Sequence, residues 1–408
     1  MARIIEKATK KMREIMVSRG HVEGQKMEVL AKFYILLTVI FICYTILDIS
    51  TLEADQFEEK IFRFKNINML ICGLTFPLVD SDSYSLLSHA EYQGIHRATS
   101  HPSEARQSLN ERLDRELDLM NKVLYSVVVT SCVSVTFGPL VAAILKYYPQ
   151  LAAGALFEIQ VTELTLPINF LYPAEYANLF TYTFLYALQT FYMYLFAGYM
   201  YCTLTSGLMA LKMTIHDMKV LCLTVREWDW KIDGKMRDYE VLNNSTTFSD
   251  IKLLKSTLVN MIKVHELICR RARNLDKNLE IMYAILNNTI CFQICVCLYS
   301  AAKMEDVVLK IEHILLVLPM SSILFLYCFS AQQLLNEGEN LRTTLWESVF
   351  FDKPQWYKSS FLIVLIRNTK DLEIKPFGFY VLNLKTFAMV MNAAYSYFNM
   401  LNSLNKRI

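Results

Sequence analysis

The tightest constraint on this chain is the recurrence of apolar stretches about as long as a bilayer is thick. Crossing ~30 Å of hydrocarbon takes roughly 20 apolar residues in a helix. Seven stretches approach that length: Val29–Ile49, Ile61–Val79, Lys122–Leu145, Phe180–Lys212, Leu279–Ala302, Val307–Tyr327 and Phe377–Leu404. The second is the weakest, because Arg63 and Lys65 interrupt it. A further run, Phe361–Ile366, is too short to span and reads as a packed cytoplasmic helix. Backbone groups in hydrocarbon must be bonded within their own segment, so the stretches read as helices. The expected fold class is therefore an all-α membrane protein with seven transmembrane helices. Composition agrees: 54% of the 408 residues are hydrophobic and 20% are charged. With only 11 Gly and 9 Pro, collagen-like and disordered classes are excluded. A net charge of +2 provides no field for nucleic acid, so no such partner is expected.

Lys and Arg set the expected orientation. With seven spans, alternate connections share a side. Eight Lys and Arg precede or open the first span, five lie in the 80–122 connection, thirteen in 212–277 and six in 337–377. The opposite side receives eight, and Lys385 lies within the last span. The positive-inside rule puts the N-terminus in the cytoplasm and the C-terminus outside. This topology is inverted relative to G-protein-coupled receptors. Two details agree with it. The 147–178 connection holds no Cys for a disulfide to the third span, and the sequons at Asn243 and Asn244 fall on the cytoplasmic side. Residues 1–28 are charged and lack a hydrophobic core, so no cleavable signal is expected and the first span serves for insertion.

Catalytic patterns do not emerge. The chain has no GxSxG, Walker loop, GxGxxG or HExxH. His89, His96 and His101 lack zinc-ligand company, and most of the ten Cys sit in spans as small packing residues. The expectation is a non-enzyme with no cofactor and no metal. A membrane acyltransferase would need an intramembrane His–Asp pair, which is not found.

The last span carries a different signal. Asn392, Ser396, Asn399 and Ser403 recur at spacings of four, three and four, one stripe of a helix. Intramembrane polar groups face water or the bundle interior. Met400 and Leu404 flank the stripe at one end. An apolar constriction beside a polar stripe suits a gate that opens by wetting. The other reading is that these Asn and Ser bond neighbouring helices. The residues alone leave both open.

The C-terminal segment KPFGFYVLNLKTFAMVMNAAYSYFNMLNSL resembles the last helix of insect odorant receptors. The likeness lies in the small pair Ala393–Ala394 and the triplet Ser396, Tyr397 and Phe398, with almost no tail beyond. Upstream, LFLYCFSAQQLLNEGENLRTTLWESVFFD matches the family's aromatic-x-x-Cys element and polar helix to a Trp, here Cys328 and Trp346. WYKSSFLIVLIRNTK is similar to the short helix before the last span, and LPINFLYP to the family's outside loop. The specific part of the likeness covers about the last 80 residues; elsewhere it is span order.

The resemblance implies a tuning receptor subunit of a tetrameric, ligand-gated, non-selective cation channel, working in a hetero-tetramer with a shared odorant co-receptor. It implies a plasma-membrane location in the dendrite of an olfactory sensory neuron. It divides the chain into a cytoplasmic segment 1–28, spans one to six with an outer-half ligand pocket at 29–336, a cytoplasmic anchor at 337–376, and a pore-lining helix at 377–408. The family's gate aligns with Met400 and Leu404 beside Ser403, with Asn399 and Ser396 further along. Met400 departs from the β-branched residue common in the co-receptor. Trp228, Trp230, Trp346 and Trp356 then read as anchor residues, or as packing within one subunit.

A pocket for a small volatile organic ligand, made by spans two, three, four and six, falls in their outer halves. The expected lining is Phe64 and Asn68; Ser134, Phe137, Gly138 and Val141; Tyr186, Thr190 and Tyr194; and Leu316, Met320 and Ile323. Ser134, Tyr186 and Thr190 are the expected hydrogen-bonding groups, and Gly138 leaves room beside the backbone. Membrane lipid is the other expected partner. Two alternatives stand beside this reading. A gustatory receptor channel of the same superfamily would carry a differently worded last helix. A G-protein-coupled-type receptor would show the opposite orientation.

Overall fold

The computed structural model describes residues 25–52, 60–61, 63–75, 104–152, 166–168, 178–240, 248–303, 307–351, 353–370 and 372–405. Every regular element among them is a helix. In chain order these are α1 (Gln25–Thr51), α2 (63–75), α3 (Glu104–Ala152), α4 (Leu179–Glu240), α5 (Phe248–Lys303), α6 (Val307–Glu347), α7 (Gln355–Asn368) and α8 (Leu384–Asn405). Helices α1 to α6 and α8 correspond to the seven expected spans, and α7 to the short pre-seven helix. Residues 1–24, the sequons at Asn243 and Asn244, His89, His96 and His101 lie outside the described residues.

Four segments are long and apolar enough to cross a membrane by length and composition: Ala31–Thr51, Glu104–Leu145, Leu279–Lys303 and Lys310–Glu347. The other three spans fall short for different reasons. The described part of α2 is short. The apolar part of α4 is diluted by tyrosines, and α8 carries its stripe of Asn and Ser.

Several helices run far past the membrane. The 62 residues of α4 extend about 90 Å at 1.5 Å per residue. Much of the expected 212–277 connection is thus helical extension of α4 and α5. Charge crosses between these extensions. Lys212 of α4 donates to Glu116 of α3 at 3.2 Å and to Gln333 of α6 at 2.6 Å. Arg271 of α5 pairs with Asp217 of α4, and Lys219 of α4 lies 3.6 Å from Glu337 of α6. Arg106 of α3 reaches Thr224 at 2.8 Å and Glu227 at 3.3 Å, both on α4. Within α3, Arg115 donates to the Glu111 backbone carbonyl at 3.3 Å, and Lys122–Asp118 at 2.7 Å is an i,i+4 ion pair.

Buried tyrosines thread the apolar core, and the hydroxyls of Tyr34, Tyr192 and Tyr327 bond backbone or hydroxyl partners. Tyr34 of α1 donates to the Gly73 carbonyl of α2 at 3.1 Å and stacks on Tyr192 of α4 at 5.2 Å. Gly73 is required there. A Cβ would stand 2.8 Å from the Tyr34 hydroxyl and 2.9 Å from the Phe196 ring. Tyr327 of α6 donates to the Leu204 carbonyl of α4 at 2.6 Å.

The last span begins later than expected. Residues 377–383 are not α-helical. Pro376–Gly378 form a 3₁₀ turn, with Phe377 at φ 51° and Gly378 at φ 72°. The turn is closed by Leu382 N–H donating to the Ile374 carbonyl at 2.9 Å. Asn383 then caps α8, its Oδ1 accepting from Thr386 N–H at 2.9 Å.

Candidate functional site: an apolar cavity and a polar helix face

A cavity of about 60 Å³ lies among α2, α3, α4, α5 and α6. Its walls come from Met69 and Cys72 on α2, Val128–Val135 on α3, Met193–Met200 on α4, Leu286–Gln293 on α5, and Leu316, Met320 and Ile323 on α6. The space equals roughly five water-sized spheres. The unbranched side chains of Met69, Met193, Met200 and Met320 can shift to enlarge it. Periodicity explains how each helix reaches it. On α5, Leu286, Thr289, Ile290 and Gln293 follow the i, i+3, i+4, i+7 spacing of one face.

Polar side chains at the walls are mostly occupied. Ser131 donates to the Val127 carbonyl at 2.8 Å, and the Cys132 thiol to the Met193 carbonyl at 3.7 Å. The Thr289 carbonyl accepts from Asn68 Nδ2 at 3.1 Å. Gln293 differs. It is 7% exposed, and its Oε1 meets no donor among the described residues.

Of the expected pocket residues, Leu316, Met320 and Ile323 line this cavity. The others do not, and the cavity lies one to two turns deeper along α3 and α4 than expected. Phe64 is 48% exposed and Tyr194 61% exposed, with Phe137 and Val141 also on the outer surface. Asn68 stands behind the wall on Thr289. Tyr186 donates to the Thr136 carbonyl, and Ser134 is half-buried on α3 beside the cavity-lining Val135. Thr190 has a buried hydroxyl with no partner among the described residues, but it is not in the cavity wall. Gly138 packs on the Glu312 carboxylate, which a Cβ there would strike. Next to Glu312, His313 Nε2 lies 3.2 Å from Lys65 Nζ. This polar cluster lies beside Gly138, one of the expected lining residues.

Helix α5 was not among the expected walls. The signal was present in the sequence: Gln293 is the one strongly polar residue in the run TICFQICVCLY, and a polar residue inside a span calls for a reason.

On α8, Phe387, Val390, Met391, Ala394, Phe398 and Leu401 pack inward, with Ala394 fully buried. At about 100° per residue, Asn392, Ser396, Asn399 and Ser403 centre about 160–170° from that face. All four are exposed, and Met400 beside them is 51% exposed. Leu404 is exposed too. Ser396 donates to the Asn392 carbonyl at 2.9 Å and Ser403 to the Met400 carbonyl at 2.8 Å, both within α8. Neither serine bonds a neighbouring helix through these contacts.

The far side of α5 meets α8 and the segment that leads into it. Asn287 Nδ2 donates to the hydroxyl of Tyr380, ahead of α8, at 2.5 Å, and the Cys291 thiol to the Val390 carbonyl of α8 at 3.8 Å. Further along, Val296 and Tyr299 pack with Ile61 against Phe398 and Leu401. No group of three His, Cys, Asp or Glu able to hold a metal occurs among the described residues.

These features define a multi-pass helical membrane protein with an internal apolar cavity and one helix whose polar face is left open. Comparison with known proteins narrows this. The family model described as 7tm Odorant receptor matches residues 91–395, and the chain belongs to that family, a receptor family rather than an enzyme class. Odorant receptor 19a of Drosophila melanogaster is 21% identical over 154 residues, 38% of this chain and 40% of that receptor. Odorant receptor 49a of the same fly is 24% identical over 142 residues, 35% of this chain and 36% of that one. The aligned stretch thus spans well under half of these relatives' length. The fold is similar over nearly the whole chain to the insect olfactory receptor OR5 from Machilis hrabei. In its complex with eugenol the TM-score is 0.76 at 14% identity, covering 98% of both chains. For a second structure of the same receptor the TM-score is 0.71 at 15% identity, covering 97% of both.

Proposed function

We propose that this chain is an odorant receptor subunit that binds a small, volatile, mostly hydrophobic molecule in the cavity and opens a non-selective cation channel. One observation carries the reading: α5 borders the cavity with one face and holds α8 with another. A ligand that spreads the α5 wall acts directly on the helix bearing the polar stripe. The pore side is Ser396, Asn399 and Ser403, with Met400 and Leu404 as the apolar constriction. Leu316, Met320 and Ile323 belong to the ligand site on α6. The eugenol complex of the Machilis receptor supports a ligand of this size and polarity.

The subunit sits in the plasma membrane with its N-terminus in the cytoplasm and assembles as a tetramer with a shared co-receptor. Support for assembly comes from the apolar side chains that α7 and its approach leave outward, including Phe351, Ile363 and Ile366, with Trp346 and Trp356. Trp228 instead packs against the subunit's own core, and the side chain of Trp230 lies outside the described residues.

The test is current recorded from cells expressing the chain alone and with the co-receptor, against an odorant panel. Odorant-evoked cation current in the second condition is expected. Its absence with surface expression verified would overturn the channel reading. A C-terminal tag that antibodies reach only after permeabilisation would overturn the inverted orientation.

A further inference from the structure

We infer that Gln293 is the polar anchor of the ligand site and that the site is built for small apolar molecules carrying one hydroxyl group. The inference rests on the proposed odorant-binding role. Three observations support it. Gln293 lines the cavity and is more than nine-tenths buried. Its Oε1 has no donor among the described residues, an unusual condition for a buried amide oxygen. Of the other polar wall groups, the Ser131 hydroxyl and the Cys132 thiol already donate to backbone carbonyls within the chain. Gln293 is therefore the wall residue whose buried acceptor no donor among the described residues meets, and a ligand donor can meet it.

The chemistry of the amide selects the class. A glutamine tip offers an acceptor oxygen and a donor NH₂, and its terminal torsion is soft. A hydroxyl both donates and accepts, so it satisfies the unmet oxygen. An ether or ester oxygen accepts only and leaves that oxygen unmet. A hydrocarbon leaves the whole amide unmet. Around this group most of the wall is Met, Leu, Ile, Val, Ala and Phe, which contact the rest of the ligand without direction. A site made to bond a hydroxyl rejects analogues lacking it more strongly than an apolar wall rejects a missing methylene.

The test uses the full chain expressed with the co-receptor and three matched probes: a phenol or alcohol, its methyl ether, and the hydrocarbon of the same skeleton. Half-maximal concentrations are read for each. In the wild-type receptor the hydroxyl compound should act at a concentration about 10- to 100-fold below its methyl ether. Gln293→Met keeps the length and removes both polar atoms. It should abolish most of that ratio, mainly by weakening the hydroxyl compound, while hydrocarbon responses hold or improve. A ratio unchanged in Gln293→Met overturns the anchor. So does a variant that reaches the surface yet answers none of the three, because that marks a structural role. If Gln293→Met does not reach the surface, Gln293→Asn is read in the same way. It keeps the amide one methylene shorter and should reduce the ratio in part; an undiminished ratio overturns the anchor. Wild-type current with no hydroxyl preference defeats only this inference. No wild-type current to any odorant defeats the receptor reading beneath it as well.

Discussion

Polar groups occur in the apolar part of this chain in two opposed settings. Gln293 stands alone, buried in a small cavity among apolar walls. Asn392, Ser396, Asn399 and Ser403 form a row on a helix face that the rest of the subunit leaves open. The same physics produces opposite consequences. A single polar group shut away from water discriminates, because a mismatched partner leaves it unsatisfied. A row of polar groups on an open face attracts water, and an apolar neighbour such as Met400 sets where wetting stops. Helix α5 lies between the two, carrying Gln293 on one face and packing another against the inward, apolar side of α8.

Changes on either side should separate these roles. The largest effect is expected from filling the cavity. Ala197→Trp puts an indole into about 60 Å³ already bounded by Met193 and Met200. Overpacking should abolish odorant responses while ligand-independent current persists. Retained sensitivity to the same odorants would place the ligand elsewhere.

A smaller effect, of a different kind, is expected at Met400→Ala. Basal leak should rise several-fold as the constriction loses bulk, with half-maximal odorant concentrations little changed. A shift in odorant sensitivity without a change in leak would erase the distinction between the two settings.

Lys212→Met tests the polar extensions. It removes bonds to Glu116 and Gln333 from a side chain only 10% exposed. Because Glu116 remains half-exposed, the loss should be about 1 kcal/mol. Thermal unfolding in detergent should occur at lower temperature with ligand selectivity unaltered; altered selectivity would tie this network to the cavity.

The smallest effect concerns pH. Burial holds the His265 imidazole below its ordinary value, and the nearby Arg367 charge adds to this against a hydrogen bond with Asn368. Between that lowered value and about 6.5 the unfolded chain binds more protons than the folded one. Stability is therefore full above pH ~6.5 and falls as the solution is acidified through that window. His265→Leu should flatten this part of the stability profile. An equal slope in both proteins would assign the acid response to other groups.

The spans were legible because burial in lipid demands long apolar runs, and those runs survive any detail of packing. The start of α8 was also written in the chain, in Pro376, Gly378 and the capping Asn383, but apolarity alone extended the helix back to Phe377. Cavity depth was not legible. Ser134, Phe137 and Tyr194 are as suitable for a ligand wall as Ser131, Val135 and Phe196. What separates the sets is which turn of α3 meets which turn of α4, and the position of Lys65, Glu312 and His313. Lys65 is far in sequence from the adjacent Glu312 and His313, and no spacing rule joins them.

By itself, then, the amino-acid order determined which segments prefer hydrocarbon, where basic residues gather, and that α8 has one polar side, since periodicity and charge are local properties. Tertiary structure decided which of many equivalent apolar faces enclose space, and that α5 contributes a wall bearing Gln293. Apolar contact is non-directional, so only the assembled packing can choose among faces that the residues leave equal.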